Sequence, residues 1–306
     1  MSRRRTAAQD QIAQERRRAQ GDRRDDEQRR RLEMLLDRWF RPAQWAARAA
    51  YTLGLQSARP VIVQEHVVIA ERSSRPPIRI AFASDFHAGA TTDDRVMRSA
   101  CEALSALQPD VLLLGGDFVS VRAHDIHRLA PLLAAVRAPL GTFAVFGNHD
   151  LRSNNSVVAG ALREAGVRML VNEVVRLAPP HEDIAIIGLD DPIGGAPDAT
   201  VLDTVRAVRV VLMHAPDGLL ALGDRDFDVA LAGHTHGGQI VLPGGVKPYL
   251  PHGQLSRKFA AGTYRLGPGS DRTLIVSRGV GCSTVPVRVL CGAEVHLVTV
   301  SSGSPT

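Results

Sequence analysis

The chain has 306 residues, 44% of them hydrophobic, with a net charge of +5 and a pI near 9.6. It is long enough for one large domain or two small ones with a sizeable core, and no stretch approaches the ~18 uncharged apolar residues of a membrane span. Its cysteines, Cys101, Cys282 and Cys291, are odd in number and match no zinc or redox spacing, so they read as inert thiols rather than a disulfide framework. The basic residues are nearly all arginine, Lys247 and Lys258 being the only lysines. Such a balance suits nucleic acid, an anionic membrane or a phosphorylated substrate without choosing among them.

Ser2-Arg3-Arg4-Arg5 has the start of a twin-arginine signal, but the residues after it are too charged for the apolar region such a signal requires. Residues 1–31 hold almost no large apolar side chains and are expected to be disordered or a solvated helix. From Leu32 the pattern changes. Leu32, Leu35, Leu36, Trp39 and Phe40 follow i, i+3, i+4, i+7, i+8, which is one face of a helix. Pro42 interrupts it, and Trp45, Ala46, Ala49 and Leu53 continue it after a kink, giving an amphipathic segment over 32–58. This stripe packs on the main domain, lies on an anionic membrane surface, or binds a partner. The expected location is cytoplasmic, with a peripheral place on the inner face of the membrane as the alternative.

Residues 59–300 form the expected main domain. Short apolar runs predict strands at Val61–Ile69, Ile78–Ala83, Val111–Leu114, Thr142–Phe146, Ile184–Leu189, Val208–Met213 and Val229–Ala232, with helices over Asp94–Leu107, Asp125–Arg137 and Ser156–Ala165 between them. That alternation predicts βαβ units in a mixed or parallel sheet. Gln239–Leu242, Thr273–Ser277, Val287–Leu290 and Glu294–Val300 read as strands without intervening helices, hence a second, more antiparallel sheet. Residues 301–306 are a polar tail.

Five of the strands run straight into metal-capable side chains: Asp85-Phe86-His87, Gly115-Gly116-Asp117, Gly147-Asn148-His149-Asp150, His214, and Gly233-His234-Thr235-His236. Ligand sites of open α/β sheets lie beyond the carboxyl ends of their strands, so the five ends can meet. Together they would bring two carboxylates, one amide oxygen and four imidazoles, namely Asp85, His87, Asp117, Asn148, His214, His234 and His236. That mixture suits Zn, Fe, Mn or Co better than Ca. Seven ligands exceed one four-ligand site and suit two ions sharing a carboxylate.

The order DFH (85–87), GGDFVS (115–120), GNHD (147–150), MHAPD (213–217) and GHTHGG (233–238) resembles the calcineurin-like metallophosphoesterases, over roughly residues 60–300. The segment after GHTHGG is similar to the bacterial branch of single-domain phosphodiesterases, some of which act on UDP-diacylglucosamine. The resemblance implies a four-layer αββα sandwich of two mixed sheets flanked by helices. It implies two divalent metal ions (Mn, Fe, Zn or Co), one on Asp85, His87, Asp117 and His236, the other on Asp117, Asn148, His214 and His234, with Asp117 bridging. It places His149 beside the leaving-group oxygen, with Asp150 orienting it. Ser120 stands where the family's second motif often ends in an acid.

The expected activity is hydrolysis of a phosphodiester or pyrophosphate, with a lipid-linked UDP-sugar pyrophosphatase as the alternative and a non-catalytic metal-binding scaffold as the rival of another class. Nucleic acid is disfavoured as a partner, and the oligomeric state is not legible. Arg278, at a strand end, and Arg257 with Lys258, in the long loop after GHTHGG, are candidates to face a substrate phosphate. Asp190, Asp191, His66, His124, His127, His181, His252 and His296 read as structural or surface residues.

Overall fold

A computed structural model of the chain describes residues 28, 30–56, 61–70, 76–266 and 272–302. The charged extension therefore lies almost wholly outside the described residues, as does the tail beyond residue 302.

Period-2 alternation builds the core. In β2 (Ile78–Ala83), Ile78, Ile80 and Phe82 face one way and Ala81 and Ala83 the other. β3 (Val111–Leu114) and β4 (Thr142–Ala144) run parallel to it, followed by β5 (Val167–Met169). On the other side, β12 (Glu294–Ser301) pairs antiparallel with β2 and parallel with β1 (Ile62–Ile69). This first sheet has the order β1-β12-β2-β3-β4-β5. A second sheet contains β6 (Glu173–Arg176), β7 (Ile184–Gly188), β8 (Val208–Leu212), β9 (Val229–Ala232), β10 (Gly262–Arg265) and β11 (Thr273–Val276), in the order β10-β11-β9-β8-β7-β6. Strands β7, β8, β9 and β11 are parallel, and both of its edge strands are antiparallel.

The sheets pack face to face through Ile80, Phe82, Leu113 and Val145 on one side and Ile186, Val210, Leu212 and Leu231 on the other. The outer face of the first sheet is covered by α3 (Asp94–Ala106), α4 (Ile126–Ala134) and α5 (Asn155–Glu164). The short α6 (Gly218–Leu222), with Phe227 and Phe259, covers the second. The expected αββα sandwich of two mixed sheets is what the chain adopts.

The separate antiparallel sheet expected from the last strands does not form. β12, buried along nearly all its length, enters the first sheet, and β11 joins the second parallel to β9. Gln239–Leu242 and Val287–Leu290 are reduced to one isolated bridge, Ile240 with Val289, because the Pro- and Gly-rich residues around them cannot sustain a ladder. β5, β6 and β10 were not legible: they are short, at or near sheet edges, and carry no continuous apolar run.

The N-terminal helix turns a polar face to the domain. Residues 30–40 (α1) are helical, followed beyond Pro42 by α2 (Trp45–Thr52). The face turned to the domain is Glu33 and Asp37, 7% and 5% exposed, while Leu35 and Trp39 of the apolar stripe are 66% and 70% exposed. Ion pairs fix this choice. The Asp37 carboxylate accepts from Arg41 at 2.6 Å and from Arg122 at 3.0 Å, and Arg41 also pairs with Asp125 at 2.8 Å. Gln44 donates to the Gly89 carbonyl, and Gln56 to those of Thr91 and Pro286. In α2 the small side chains Ala46, Ala47 and Ala50 are buried and Trp45 is left outside.

Where β12 crosses from β1 to β2, His296 stacks on His66 and lies 3.4 Å from Glu294, which also accepts from the Arg278 side chain at 2.6 Å. Burial opposes ionisation of Glu294, but His296 and then Arg278 outweigh it and hold the carboxyl at about 2. A depressed carboxyl pKa stabilises the fold above its unfolded value near 4.5, and that stabilisation is lost as pH falls towards 2. Glu294→Gln is therefore expected to cost about 2 kcal/mol at neutral pH and to flatten the stability–pH slope below pH 4.5. Urea unfolding across that range checks it, and an unchanged slope would count against the assignment.

Candidate metal centre

The carboxyl ends of β2, β3 and β4 in one sheet, and of β8 and β9 in the other, open on the same side of the sandwich. Asp85, Asp117, Asn148, His214 and His234 follow them directly and are all buried, as are His87 and His236. The structure thus gathers all seven expected donors.

Two convergent groups can be traced atom by atom. In the first, Nε2 of His87 and Nε2 of His236 are 3.0 Å apart, the latter 3.6 Å from Asp85 Oδ1 and the former 3.5 Å from Asp117 Oδ2. In the second, His214 Nε2 lies 3.3 Å from the same Asp117 Oδ2, 3.2 Å from Asn148 Oδ1 and 3.2 Å from His234 Nδ1. Asp117 Oδ2 faces both. Each of the triads Asp85, His87, His236 and Asp117, His214, His234 has its donor atoms within 4.8 Å of one another.

Hydrogen bonds on the far side aim the rings. His214 Nδ1 donates to the Gly115 carbonyl at 2.8 Å, and His234 Nε2 to the His252 carbonyl at 3.0 Å, leaving the opposite nitrogens turned inward. The His234 backbone N–H donates to Asp85 at 3.0 Å, tying the sheets together across the site. Gly233 and Gly147 are required by close approach: a Cβ on Gly233 would collide with the Asp85 carboxylate, and one on Gly147 with Asp117. The loops that carry these residues are strained. Asp85, His87, Asp117, His234 and His236 all have φ between 46° and 69°, a left-handed conformation costing about 1–3 kcal/mol each for non-glycine residues.

Titration follows from this crowding. Burial opposes charge on His214, but Asp117, with Asp191 and Asp85, raises its pKa well above the ordinary value. Burial likewise opposes ionisation of Asp117, and His214 with His149 overrides it to keep the carboxylate charged. Burial, reinforced by His149 for His87 and by His87 and Arg288 for His236, keeps those two rings neutral with free lone pairs. Burial lifts Asp85 to about 6, the Asp117 charge adding to it. Neutral imidazoles, charged carboxylate and amide oxygen, all facing inward, are the donor set of a divalent transition-metal site, and the residues fit such an ion.

His149 is turned towards the first group, its ring edge-on to His87 at 4.8 Å. Its Nδ1 donates to the Ser120 carbonyl at 2.7 Å, which leaves Nε2 facing away from that anchor. The expected orienting contact from Asp150 takes another form. Asp150 accepts from the backbone N–H groups of Phe118, Val119 and Gly147, so it fixes the two loops that carry Asp117 and His149 rather than the imidazole itself. Burial, with the nearby Asp117 charge, lifts its carboxyl to about 8. Ser120 serves His149 through its main chain, so an acidic side chain there is not needed for that bond; its hydroxyl donates to the His87 carbonyl.

The other residues singled out from the sequence are held by contacts of their own. Arg278 is held by Glu294, although its stem packs over Gly237. Arg257 is exposed on the loop between β9 and β10, and Lys258 lies over the ring of Phe259. Asp191 is buried and accepts from the N–H groups of Ile193 and Gly194. Two residues were missed. Arg288, buried, reaches within 3.2 Å of His236 Nδ1 while donating to the carbonyls of Gly281, Cys291 and Arg278. Nothing in its sequence neighbourhood marks it. Glu33 of α1 comes within 3.9 Å of His149 Nε2; the i, i+4, i+8 spacing of Glu33, Asp37 and Arg41 was its only signal. Beside His236 and His252 opens a cavity of about 600 Å³, roofed by Leu32 and walled by Ile240, Pro248 and Tyr249.

The fold and the gathered ligands define a metallophosphoesterase. The calcineurin-like phosphoesterase family profile matches residues 78–238, and the chain belongs to that family. It is 30% identical over 234 residues to the phosphodiesterase YaeI of Escherichia coli, covering 74% of this chain and 83% of YaeI. It is 27% identical to the UDP-2,3-diacylglucosamine pyrophosphatase LpxG of Chlamydia trachomatis, over 67% of this chain and 78% of LpxG. The crystal structure of TT1561 from Thermus thermophilus aligns with a TM-score of 0.46 at 11% identity, over 67% of this chain and 91% of that one.

Chelator-treated protein is expected to gain thermal stability when Mn²⁺ or Zn²⁺ is returned, by about 4 kcal/mol at a thousandfold excess over Kd. His214→Ala should lose most of that gain. Equal melting temperatures with and without ion would argue against a metal centre.

Proposed function

We propose that the protein is a phosphodiesterase or pyrophosphatase that works with two divalent ions, Asp117 shared between them. The observation that carries this is the single oxygen, Asp117 Oδ2, lying 3.5 Å from His87 Nε2 and 3.3 Å from His214 Nε2, one from each convergent group. Asp85, His87, Asp117 and His236 would hold one ion, and Asp117, Asn148, His214 and His234 the other. Such a pair would lower a water's pKa for in-line attack and neutralise charge on the phosphoryl oxygens.

The chain's own residues supply the rest. His149, anchored through Nδ1 to Ser120, presents Nε2 at the edge of the first group. It delivers a proton to the departing oxygen or stabilises its charge, as a histidine near neutral pH can. Asp150 keeps the 117–119 and 147–149 loops in register, so that bridge and proton donor move together. The likeness to YaeI, a phosphodiesterase, supports a diester over a monoester.

The cavity favours a second, narrower reading. Its apolar wall beside His236 suits a substrate with a hydrophobic portion, such as the lipid-linked UDP-sugar on which LpxG acts.

Hydrolysis of bis(p-nitrophenyl) phosphate should exceed that of p-nitrophenyl phosphate and depend on added Mn²⁺; preference for the monoester would replace the diesterase reading with a phosphatase. His149→Ala is expected to lower turnover by about 10²–10⁴ with metal content unchanged, whereas metal loss in that variant would make the residue a ligand. In Asp117→Ala, metal analysis should show depletion at both positions. Two full equivalents retained there would remove Asp117 as the bridge.

A further inference from the structure

The described N-terminal segment turns its polar face inward and its greasy face outward. Leu32, Leu35, Trp39, Trp45 and Leu53 are 50%, 66%, 70%, 53% and 72% exposed, although large apolar side chains gathered on one face normally mark a contact surface. Ion pairs from Arg41 and Arg122 to the buried carboxylates of Asp37 and Asp125 pin this arrangement, so the stripe is presented rather than left over.

Charge identifies what the stripe meets. Residues 1–31 contain eleven arginines and six acidic residues, a surplus of five that equals the whole chain's +5; residues 32–306 balance 26 basic against 26 acidic. The excess positive charge thus adjoins the apolar face in sequence, and the exposed Arg38 and Arg48 lie on the two helices themselves. The chain's own extension is a poor cover, since residues 1–27 hold only Ile12 and Met1 as large apolar residues. Leu32 belongs both to the stripe and to the roof of the 600 Å³ cavity beside His236, so whatever covers the stripe adjoins the cavity.

We propose that α1 and α2 form a docking face for an anionic phospholipid bilayer. The stripe enters the headgroup region, and the surplus positive charge that adjoins it in sequence favours an anionic surface. Apolar burial alone would leave docking weak, and arginines alone would make it fully salt-sensitive; the two together give binding that weakens with salt without disappearing. The proposal concerns the surface and stands whether or not the phosphodiesterase reading does.

The chain carries its own reporters. Trp39 and Trp45 are its only tryptophans, and both lie on this face. Adding phosphatidylglycerol-containing vesicles to the full-length protein should shift tryptophan emission to the blue and carry the protein upward in a flotation gradient. Pure phosphatidylcholine vesicles should do so weakly. Leu35→Glu with Trp39→Glu should reduce binding about tenfold or more, with unfolding midpoint and metal content unchanged, because neither side chain is buried. Retention of binding by that double variant, with loss in high salt, would reduce the contact to the arginines and overturn the proposal. Absence of a blue shift and of flotation with any vesicle would also overturn it. So would a concentration-dependent blue shift without vesicles, which would make a second copy of the chain the cover.

Discussion

The organising constraint is electrostatic. Too many hydrogen-bond acceptors point at too small a volume. His214 gives its Nδ1 proton to Gly115, yet its Nε2 faces Asn148 Oδ1, His234 Nδ1 and Asp117 Oδ2. Lone pairs in such proximity repel unless positive charge stands among them. The surrounding carboxylates, Asp117 foremost, favour positive charge at His214 against the opposing effect of burial. A divalent cation meets the same need more fully. The strands converge, the glycines make room, and five of the gathered residues adopt left-handed backbone so that this arrangement can exist.

The same logic explains why both sheets are needed. Parallel strands β2, β3 and β4 deliver one set of donors, and β8 and β9 the other. The apolar interface between the sheets sets their separation, and the bond from the His234 N–H to Asp85 stitches the two sets together. Asp150 is the corresponding stitch within the first sheet's loops. Its carboxyl group clamps backbone beside a cluster towards which two other acidic side chains, Asp85 and Asp117, are turned.

Much of this was readable in the residues because strand ends and ligands are neighbours in sequence. Apolar runs ending in Asp or His give both the element and its terminus, and β2, β3 and β9 appear with the expected bounds. Arg288 was not readable, since its approach to His236 depends on folding back over a distance in sequence that no local pattern encodes. The N-terminal helix was legible as amphipathic but not in its orientation. An apolar stripe ordinarily packs inward, and here a line of charge with specific partners on α4's approach and the 120s loop prevailed. β12 was expected as a strand, but its place between β1 and β2 was not, because partners as distant in sequence as Gln64 and His296 leave no trace in periodicity.

That placement of β12 has a consequence for how the molecule comes into being. The last of the described strands occupies the space between β1 and β2, the first two of them. As the chain leaves the ribosome, the first sheet can assemble β2 through β5, but β1 has no pairing partner until residues near 301 emerge. Closing a loop of that span costs conformational entropy before any contact rewards it. Completing the first sheet therefore requires an insertion, and without it β1 and β2 have open edges, the kind of exposed backbone on which unrelated chains pair and aggregate.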